Sequence, residues 1–409
     1  YDLSLYHTGS RAVEHALTGE ESMSLVSAVG YSNEINGREA AQQAAQQALK
    51  GLRSAEPKVA LVFFSHLYDP VEVRQVLNGL LGEIPLWGAT TSTIYAAAVP
   101  QKMTVVILGG AFSLDTSWYG HYAVDPLGSA LELNARLEHF RTSRHWHSVL
   151  LAADGLKGEI NTLLSYFEQV PMEVGGFLSG AGFPRGKNSL LGETYCAEGG
   201  LSALWLGSGI RLGIAAAQGW KDSGVYFRAT ASREHRLMQL DGQPAAEQIC
   251  SILGYSPAEW GKPPFQELLR LFPLAYHEMG QSEAVVAAPL GVEEDGSLRM
   301  NLAIPEGSTL RLMVGNPSAC LQSLKTAIQT AKGMAGGGSV GVGMILLDVS
   351  WFELFRTQPA ELSGAIEEAA AEMPWIGVAT LGHIWRGSEV SAPLAASSGA
   401  LAVVFKGES

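Results

Sequence analysis

Aspartate and histidine side chains are the main candidates for ligand binding or catalysis in this sequence. One of the aspartates ends a segment with the pattern of a buried strand. Asp348 follows the apolar run 340–347 and precedes Val-Ser-Trp351. Open α/β sheets bind ligands outside the carboxyl ends of their strands, so a carboxylate here would be placed to pair with an ammonium group. The same position suits the N-cap of a helix that begins near Ser350. The sequence leaves both interpretations of Asp348 open.

The ten histidines offer metal or haem ligation. His145 and His147 are two residues apart, so on a strand they would share one face and could hold a metal, although a surface position is the commoner outcome. A single histidine in an apolar pocket can be an axial haem ligand, and His383 and His277 are the candidates. For each of them, a hydrogen-bonded structural role is the favoured interpretation.

Two known signatures of nucleotide and metal chemistry fail in this sequence. Gly186-Lys187 resembles part of a P-loop, but Ala181 stands where the first glycine belongs and Asn188 replaces the serine or threonine. The sequence also lacks a His-Glu-x-x-His helix. A hydrolase or transferase would therefore depend on Asp348 and His383 as an acid–base pair, which requires both side chains to reach one substrate atom.

Charge and composition narrow the partners and the location. The chain has 409 residues and a formal net charge of −13, from 27 basic and 40 acidic side chains that form no blocks. This balance argues against nucleic acid or an anionic membrane as a partner. The three cysteines are far apart, so neither a disulfide framework nor a zinc site is indicated. Residues 1–5 carry no signal-peptide pattern, and we expect a cytoplasmic protein.

The elements around these residues repeat. Residues 85–91 and 374–380 both read Pro-x-x-Gly-x-x-Thr, and each follows an apolar run (59–64 and 340–347) and a helical segment (71–81 and 361–372). The sequence therefore predicts a strand-helix-strand unit that occurs twice. Two related halves that face each other, with glycines that let backbone approach a cleft, are a common way to build a ligand site.

The order of elements predicts an α/β fold, with α+β character in places. Strands and helices alternate up to about residue 170, and a glycine-rich region from 174 to 230 reads as hairpins that form an antiparallel edge or a second sheet. We expect mixed sheets with helices in two domains, 1–220 and 221–409, divided at the polar turn 219–224.

Five stretches resemble, in order, the landmarks of FIST proteins. They are residues 85–94, 171–176, 219–245, 295–307 and 374–384. The resemblance covers nearly the whole chain and implies a FIST N-terminal domain to about residue 220 and a FIST C-terminal domain after it. Departures include His383 in place of the glutamate of a Gly-Glu-Ile motif, and Asp348-Val-Ser-Trp351 in place of Cys-x-x-Arg. The change to histidine could remove a ligand contact or create a haem or metal ligand.

This resemblance implies a non-enzymatic sensory protein of bacterial or archaeal signal transduction. It would bind a small, amino-acid-like molecule between its domains and act in trans on a histidine kinase or a cyclic-di-GMP enzyme. Some family members are haem-containing nitric-oxide sensors, so haem is the alternative, with His383 and His277 as candidate ligands. The residues expected to line the ligand site are Gly88, Thr90, Thr91, Gly175, Gly176, Asp348, Thr380 and His383.

Overall fold

The alternating apolar and amphipathic segments fold into three similar α/β units and one inserted sheet. The structure, a computed structural model, describes residues 25–141, 145–167, 170–184, 186–277, 283–336, 340–386 and 393–408. Residues 1–5, which were considered for a signal peptide, lie outside these ranges. The described helices include none with both the length and the apolar content of a membrane-spanning helix.

The first unit contains two helices and six strands. Its elements are β1 (Val26–Ser32), α1 (Gly37–Leu52), β2 (Pro57–Ser65), α2 (Pro70–Leu81), β3 (Leu86–Thr91), β4 (Ile94–Ala96), β5 (Val99–Gln101) and β6 (Met103–Gly109). Asn36 caps α1 by accepting hydrogen bonds from the amides of Arg38 and Glu39, which explains why the helix begins there. The buried face of α1 is almost entirely alanine, so the helix lies close to the sheet.

The second unit has the same order of elements. They are β7 (Leu114–Tyr119), α3 (Pro126–Arg141), β8 (Trp146–Asp154), α4 (Ile160–Leu164), a 3-10 turn (Ser165–Phe167), β9 (Glu173–Ser179), β10 (Leu190–Glu193), β11 (Tyr195–Ala197) and β12 (Leu201–Gly207). Strand β9 pairs with β8 in parallel. The interpretation of the glycine-rich segment from residue 174 as the start of a separate antiparallel region is therefore wrong for β9.

The third unit is interrupted after its first strand, β13 (Ile210–Gln218), by the inserted sheet. The insert comprises β14 (Trp220–Arg233), β15 (Arg236–Leu240), β16 (Gln243–Pro244), α5 (Ala245–Leu253), α6 (Pro257–Trp260), α7 (Phe265–Leu268), a 3-10 turn (Leu269–Leu271), β17 (Leu274–His277), β18 (Ala284–Ala287), β19 (Pro289–Val292), β20 (Leu298–Met300) and β21 (Thr309–Gly315). The unit then resumes with α8 (Pro317–Met334), β22 (Val340–Asp348), α9 (Val349–Leu354), α10 (Pro359–Ala370), β23 (Trp375–Thr380), β24 (Gly382–Trp385), β25 (Leu394–Ala396) and β26 (Gly399–Gly407).

Each unit lends a two-stranded hairpin to the sheet of another unit. Sheet 1 has the order β1-β6-β2-β3-β10-β11, sheet 2 the order β7-β12-β8-β9-β24-β25, and sheet 3 the order β13-β26-β22-β23-β4-β5. The hairpin of the second unit thus completes sheet 1, that of the third unit completes sheet 2, and that of the first completes sheet 3. The exchange is cyclic, so the chain closes on itself as a single-chain pseudo-trimer.

The same turn ends the first parallel strand of every unit. The side chains of Ser65, Asp154 and Asp348 each accept a hydrogen bond from the amide two residues later, at 3.3, 2.9 and 2.9 Å. The internal repeat predicted from the sequence is confirmed, but it occurs three times and not twice. The second copy escaped the pattern because Glu173 and Ser179 stand where the other copies have proline and threonine.

The inner faces of the three sheets meet in one apolar core. Phe63, Trp87, Leu150, Phe177 and Leu346 are among the buried side chains that fill it. Helices α1 and α2 cover the outside of sheet 1, and α8 and α10 cover the outside of sheet 3. The inserted sheet packs with α3 against the outside of sheet 2. The predicted α/β class with mixed sheets and helices is confirmed.

The predicted domain boundary falls at the first residues of β14. Sheets 2 and 3 each contain strands from both sides of residue 220, whereas the insert contains strands only from the second side. The division into 1–220 and 221–409 stays a prediction.

Candidate functional site

A cleft of about 530 Å³ lies where strand β13 of sheet 3, helix α8, the edge of the insert and the swapped strand β24 meet. We call it the third cleft, because β13 and α8 belong to the third unit. Its lining comes from both sides of residue 220. The residues are Ile214, Ala215, Ala216, Ala217, Gln218, Glu283, Ala284, Val286, Met313, Thr330, Met334, His383, Trp385 and Arg386.

Most of this lining is apolar, with a few polar groups that converge on it. Alanines 215 to 217 and the two methionines give a wide, adaptable floor, and Trp385 supplies an aromatic wall. Glu283 and Arg386 bring opposite charges to the same cleft. A largely apolar cavity with a small number of placed polar groups is the usual form of a small-molecule site.

Arg386 is held in place by the backbone of the second unit. Its guanidinium donates to the carbonyl oxygens of Phe167, Val170 and Met172, the last at 3.2 Å. Its buried Nε has no hydrogen-bond partner among the described residues. Burial lowers the pKa of this arginine, and the nearby Glu173 opposes that shift. The group remains a cation at neutral pH, so it brings a positive charge to the lining of the cleft.

His383 lies on β24, and its side chain is 1% exposed. Its ring packs on Trp385 with the ring centres 4.8 Å apart. Burial lowers the pKa of His383 to about 3, so the imidazole is neutral at physiological pH. Its Nδ1 is buried without a partner in the described part of the chain. His383 therefore adds an uncharged ring to the lining of the cleft.

The position of the cleft has an equivalent in each of the other two units. The strand registers show which residues are equivalent. The repeated turns are preceded by Phe64, Ala153 and Leu347, and these pair with Met103, Leu201 and Ala400 on the next strand. On their other side, those three pair with Ser32, Tyr119 and Ala217. The residues before these last three, Tyr31, Trp118 and Ala216, are therefore equivalent. Tyr31 lines a first cleft and Ala216 the third, whereas Trp118 stacks on Tyr195 at 5.8 Å, on the hairpin that borders the second position. Trp118 therefore occupies, in the second unit, the position that Ala216 has in the third.

Asp348 is a structural cap. Its Oδ1 accepts hydrogen bonds from the amide of Ser350 at 2.9 Å and from the Ser350 hydroxyl at 2.6 Å, at the N-terminus of α9. Burial raises the pKa of Asp348, and the hydrogen bonds from Ser350 and the charge of Arg270 oppose that shift. The N-cap interpretation is confirmed, and Asp348 does not line the third cleft.

The predicted threonines lie at the ends of strands. Thr90 donates to the carbonyl of Lys187 at 2.9 Å and accepts from the amide of Ser189, which binds strand β3 to the approach to β10. The hydroxyl of Thr91 donates to the carbonyl of Ala379 at 2.6 Å. Thr380 pairs in register with Asp348, and its buried hydroxyl lacks a partner within the described residues. None of the three lines the third cleft.

The predicted glycines serve close packing of the chain. A Cβ on Gly88, whose φ is +147°, would collide with the carbonyl oxygen of Val62. A Cβ on Gly176, with φ +155°, would collide with that of Leu151. Gly175 lies behind the cleft wall, because a Cβ there would be 2.9 Å from Ile214 Cδ1. The structure thus brings only His383 into the cleft, with Gly175 directly behind its wall.

Comparison with known families decides where the chain belongs. The FIST N domain matches residues 58–243 and the FIST C domain matches residues 245–386. The chain belongs to the FIST family. FIST domains are sensory domains of signal transduction, which favours a non-enzymatic role. A search of curated protein sequences found no match.

Solved structures give only distant similarity to this FIST protein. A chorismatase aligns with 9% identity and a TM-score of 0.36, over 94% of this chain and 100% of its own. PurLQS from Thermotoga maritima aligns with 8% identity and a TM-score of 0.24, over 94% of this chain and 72% of its own. T. maritima PurL complexed with ADP aligns with 9% identity and a TM-score of 0.22, over 95% and 74%. Similarity at this level carries no argument about function.

The haem chemistry of some FIST proteins does not fit the two candidate histidines. The Cε1 and Nε2 edge of His383 lies against Gly399, where an added Cβ would be 2.8 Å from Nε2. Its Nδ1 is buried, so neither nitrogen is open to an iron atom in the cleft. The exposed His277 has Nε2 2.8 Å from the Arg311 guanidinium. Nor do the described residues contain a cluster of three or more metal-ligating side chains, and His147 contacts Ser148.

An acid–base pair of Asp348 and His383 has no support in the geometry of the two side chains. The carboxylate of Asp348 caps α9, while the ring of His383 packs on Trp385, and no hydrogen bond joins them among the described contacts. The sequence Gly337-Gly-Ser339-Val-Gly341 has the spacing of a nucleophile elbow. It connects helix α8 to strand β22, however, which reverses the strand-to-helix order that exposes such a serine. Residues 337–339 themselves lie outside the described ranges.

Sequence reasoning missed most of the cleft because its walls are distant in the chain. Strand β13 begins at Ile210, and its neighbour β26 begins at Gly399, 189 residues later. No local pattern in the sequence indicates that these two strands pair. Arg386 lies close to a stretch that the sequence analysis did select, two residues beyond the end at Ile384 of the second Pro-x-x-Gly-x-x-Thr stretch. Extending that motif past its family landmark would have included both Trp385 and Arg386.

Proposed function

We propose that this FIST protein is a non-enzymatic sensor that binds a small, amino-acid-like molecule in the third cleft. The observation that carries the proposal is the cleft itself. It is mostly apolar, it contains both Arg386 and Glu283, and it is formed by both halves of the chain. The equivalent position of the second unit holds Trp118, which stacks on Tyr195, whereas the small Ala216 lines this cleft.

An amino acid with an apolar side chain matches the chemistry of the cleft. Its carboxylate would be attracted by the positive charge of Arg386, and its ammonium group would face Glu283. Its side chain would pack on Met313, Met334 and Trp385. Because His383 is neutral, it would not repel the ammonium group.

The position of the cleft offers a route from binding to signalling. Its walls belong to the third unit, to the insert and to sheet 2, so a ligand that contacts all three stabilises one arrangement of them. We propose a histidine kinase or a cyclic-di-GMP enzyme as the partner that responds to this arrangement. The proposal draws on the sensory role of the family.

Charge variants test the ligand class. We would titrate L-leucine, L-methionine, L-phenylalanine and the corresponding amides and N-acetyl derivatives into the protein by calorimetry. The proposal expects binding that needs both charged ends, with the carboxylate requirement lost in Arg386→Gln and the ammonium requirement lost in Glu283→Gln. Binding of the amides and acetylated compounds as tightly as the free amino acids, or binding of none of the probes, would refute the assigned ligand class.

A further inference from the structure

The first cleft, of about 500 Å³, lies between strand β1, helix α1 and the swapped strand β5. It is the counterpart of the third cleft in the first unit and shares no residue with it. Tyr31 occupies the position equivalent to that of Trp118 in the second unit. We propose that this first cleft binds a small oxyanion, a molecule with carboxylate or phosphate groups.

One stripe of α1 supplies the helical wall of the cleft. Gln43, Gln46, Gln47 and Lys50 follow the spacing i, i+3, i+4, i+7, which places them on one face. The opposite face is the alanine surface that packs on sheet 1. The polar stripe is therefore not needed to hold the helix on the sheet.

Hydrogen bonds from the neighbouring strand fix the orientation of two of these amides. The backbone N–H of Tyr31 donates to Gln47 Oε1 at 3.0 Å, so the oxygen and not the nitrogen must face the strand. The hydroxyl of Ser32 accepts from the amide of Glu34 and donates to Gln43 Oε1. With both oxygens occupied, each amide has its two N–H donors for other partners.

The result is a cleft that offers donors and one positive charge. Lys50 adds an ammonium group, and none of the described lining residues is acidic, although the whole chain carries a net charge of −13. A lining with ammonium and amide donors but no carboxylate suits a group that only accepts hydrogen bonds, as carboxylate and phosphate oxygens do. The third cleft differs, because it is apolar and contains a glutamate.

Citrate and inorganic phosphate are the probes, titrated by calorimetry at low ionic strength. We expect saturable binding of at least one of them at one site per chain. Lys50→Met should weaken this binding by about tenfold or more, because a charge-assisted contact is lost. Tyr31→Trp should abolish it, because it places in the first cleft the tryptophan that occupies the equivalent position, Trp118, of the second unit. A preference for citrate would identify a carboxylate ligand, and a preference for phosphate a phosphorylated one.

The controls separate this site from general salt effects and from the third cleft. Lys221→Met removes an exposed lysine on β14 that does not line the cleft, and Ala216→Trp fills only the third cleft. Both should bind the anion as the unchanged protein does. Gln46→Met, an exposed substitution on the same stripe, provides a second test if Tyr31→Trp unfolds the protein. The proposal is overturned if neither probe binds saturably, or if Lys50→Met and Gln46→Met bind as tightly as the unchanged protein.

Discussion

His383 is the one residue that was selected from the sequence and lies in the cleft. Its role there differs from the haem ligation considered for it, because the protein backbone at Gly399 covers one edge of its ring. The imidazole of His383 is neutral, because burial lowers its pKa to about 3. This shift links the stability of the protein to pH.

The linkage predicts a loss of stability in acid that depends on His383. Unfolded histidine titrates near pH 6.5, so between that value and about pH 3 the unfolded chain takes up a proton that the folded protein excludes. The free energy of unfolding should therefore fall with pH by about 1.4 kcal/mol per unit in this range, or about 2 kcal/mol from pH 6.5 to 5. Urea denaturation at pH 7 and 5 should show that His383→Gln loses this part of the pH dependence. The exposed His277→Gln is the control, and an unchanged pH dependence in His383→Gln would contradict the assignment.

At the scale of elements, the parallel strand pairs determine which glycines are essential. Gly88 and Gly176 pair with Val62 and Leu151 at equivalent positions of sheets 1 and 2, where a Cβ collides with a carbonyl oxygen. Gly377 is their equivalent in sheet 3, but a Cβ there would meet its nearest atom, in Trp375, at 3.4 Å. The glycine of the Pro-x-x-Gly-x-x-Thr pattern is thus required in two copies and tolerant in the third.

Alanine substitutions check this difference within one protein. Gly88→Ala and Gly176→Ala should each lower the free energy of unfolding by about 2–4 kcal/mol, because the strands must separate and the backbone is strained. Gly377→Ala should change it by less than about 1 kcal/mol. Chemical denaturation of the three variants measures the effect. Equal losses at all three positions would show that the glycines serve something other than strand contact.

Local patterns predicted most elements but not their partners. The helical segments 71–81 and 361–372 correspond to α2 and α10, and the apolar runs 59–64 and 340–347 correspond to β2 and β22. The residues of the β4–β5 hairpin do not indicate that it pairs with β23. In that pairing Ile94 lies opposite Val378, which is about 280 residues later in the chain. The second copy of the repeat was not recognised because Glu173 and Ser179 stand in place of the proline and threonine. The cleft depends on these long-range pairings, which is why only one of its lining residues, His383, could be predicted from local patterns.

At the scale of the whole molecule, the exchanged hairpins make the two halves of the chain depend on each other. Sheet 2 takes β24 and β25 from the second half, and sheet 3 combines β13, β4 and β5 with β22, β23 and β26. A chain of residues 1–220 would expose the buried face of β13, which includes Ile210 and Leu212. The cleft walls would also be separated.

We therefore expect residues 1–220 alone to lack a cooperative unfolding transition. Coexpression with residues 221–409 should restore it, because the missing strands complete both sheets. Circular dichroism during thermal unfolding, with size-exclusion chromatography of the coexpressed halves, makes the comparison. A cooperative transition of the first half by itself would establish that it is an independent domain and would contradict this interdependence.

The central claim is that the third cleft is the ligand site of this FIST protein, and the most direct measurement compares two tryptophan substitutions at equivalent positions. Calorimetric titration with the best-binding amino acid among leucine, methionine and phenylalanine would be performed on Ala216→Trp and Tyr31→Trp. Ala216→Trp should abolish binding, because it places a large side chain in the lining of the third cleft, while Tyr31→Trp, which lies outside that lining, should leave it unchanged. Binding that survives Ala216→Trp in the folded protein would place the ligand elsewhere and contradict the account.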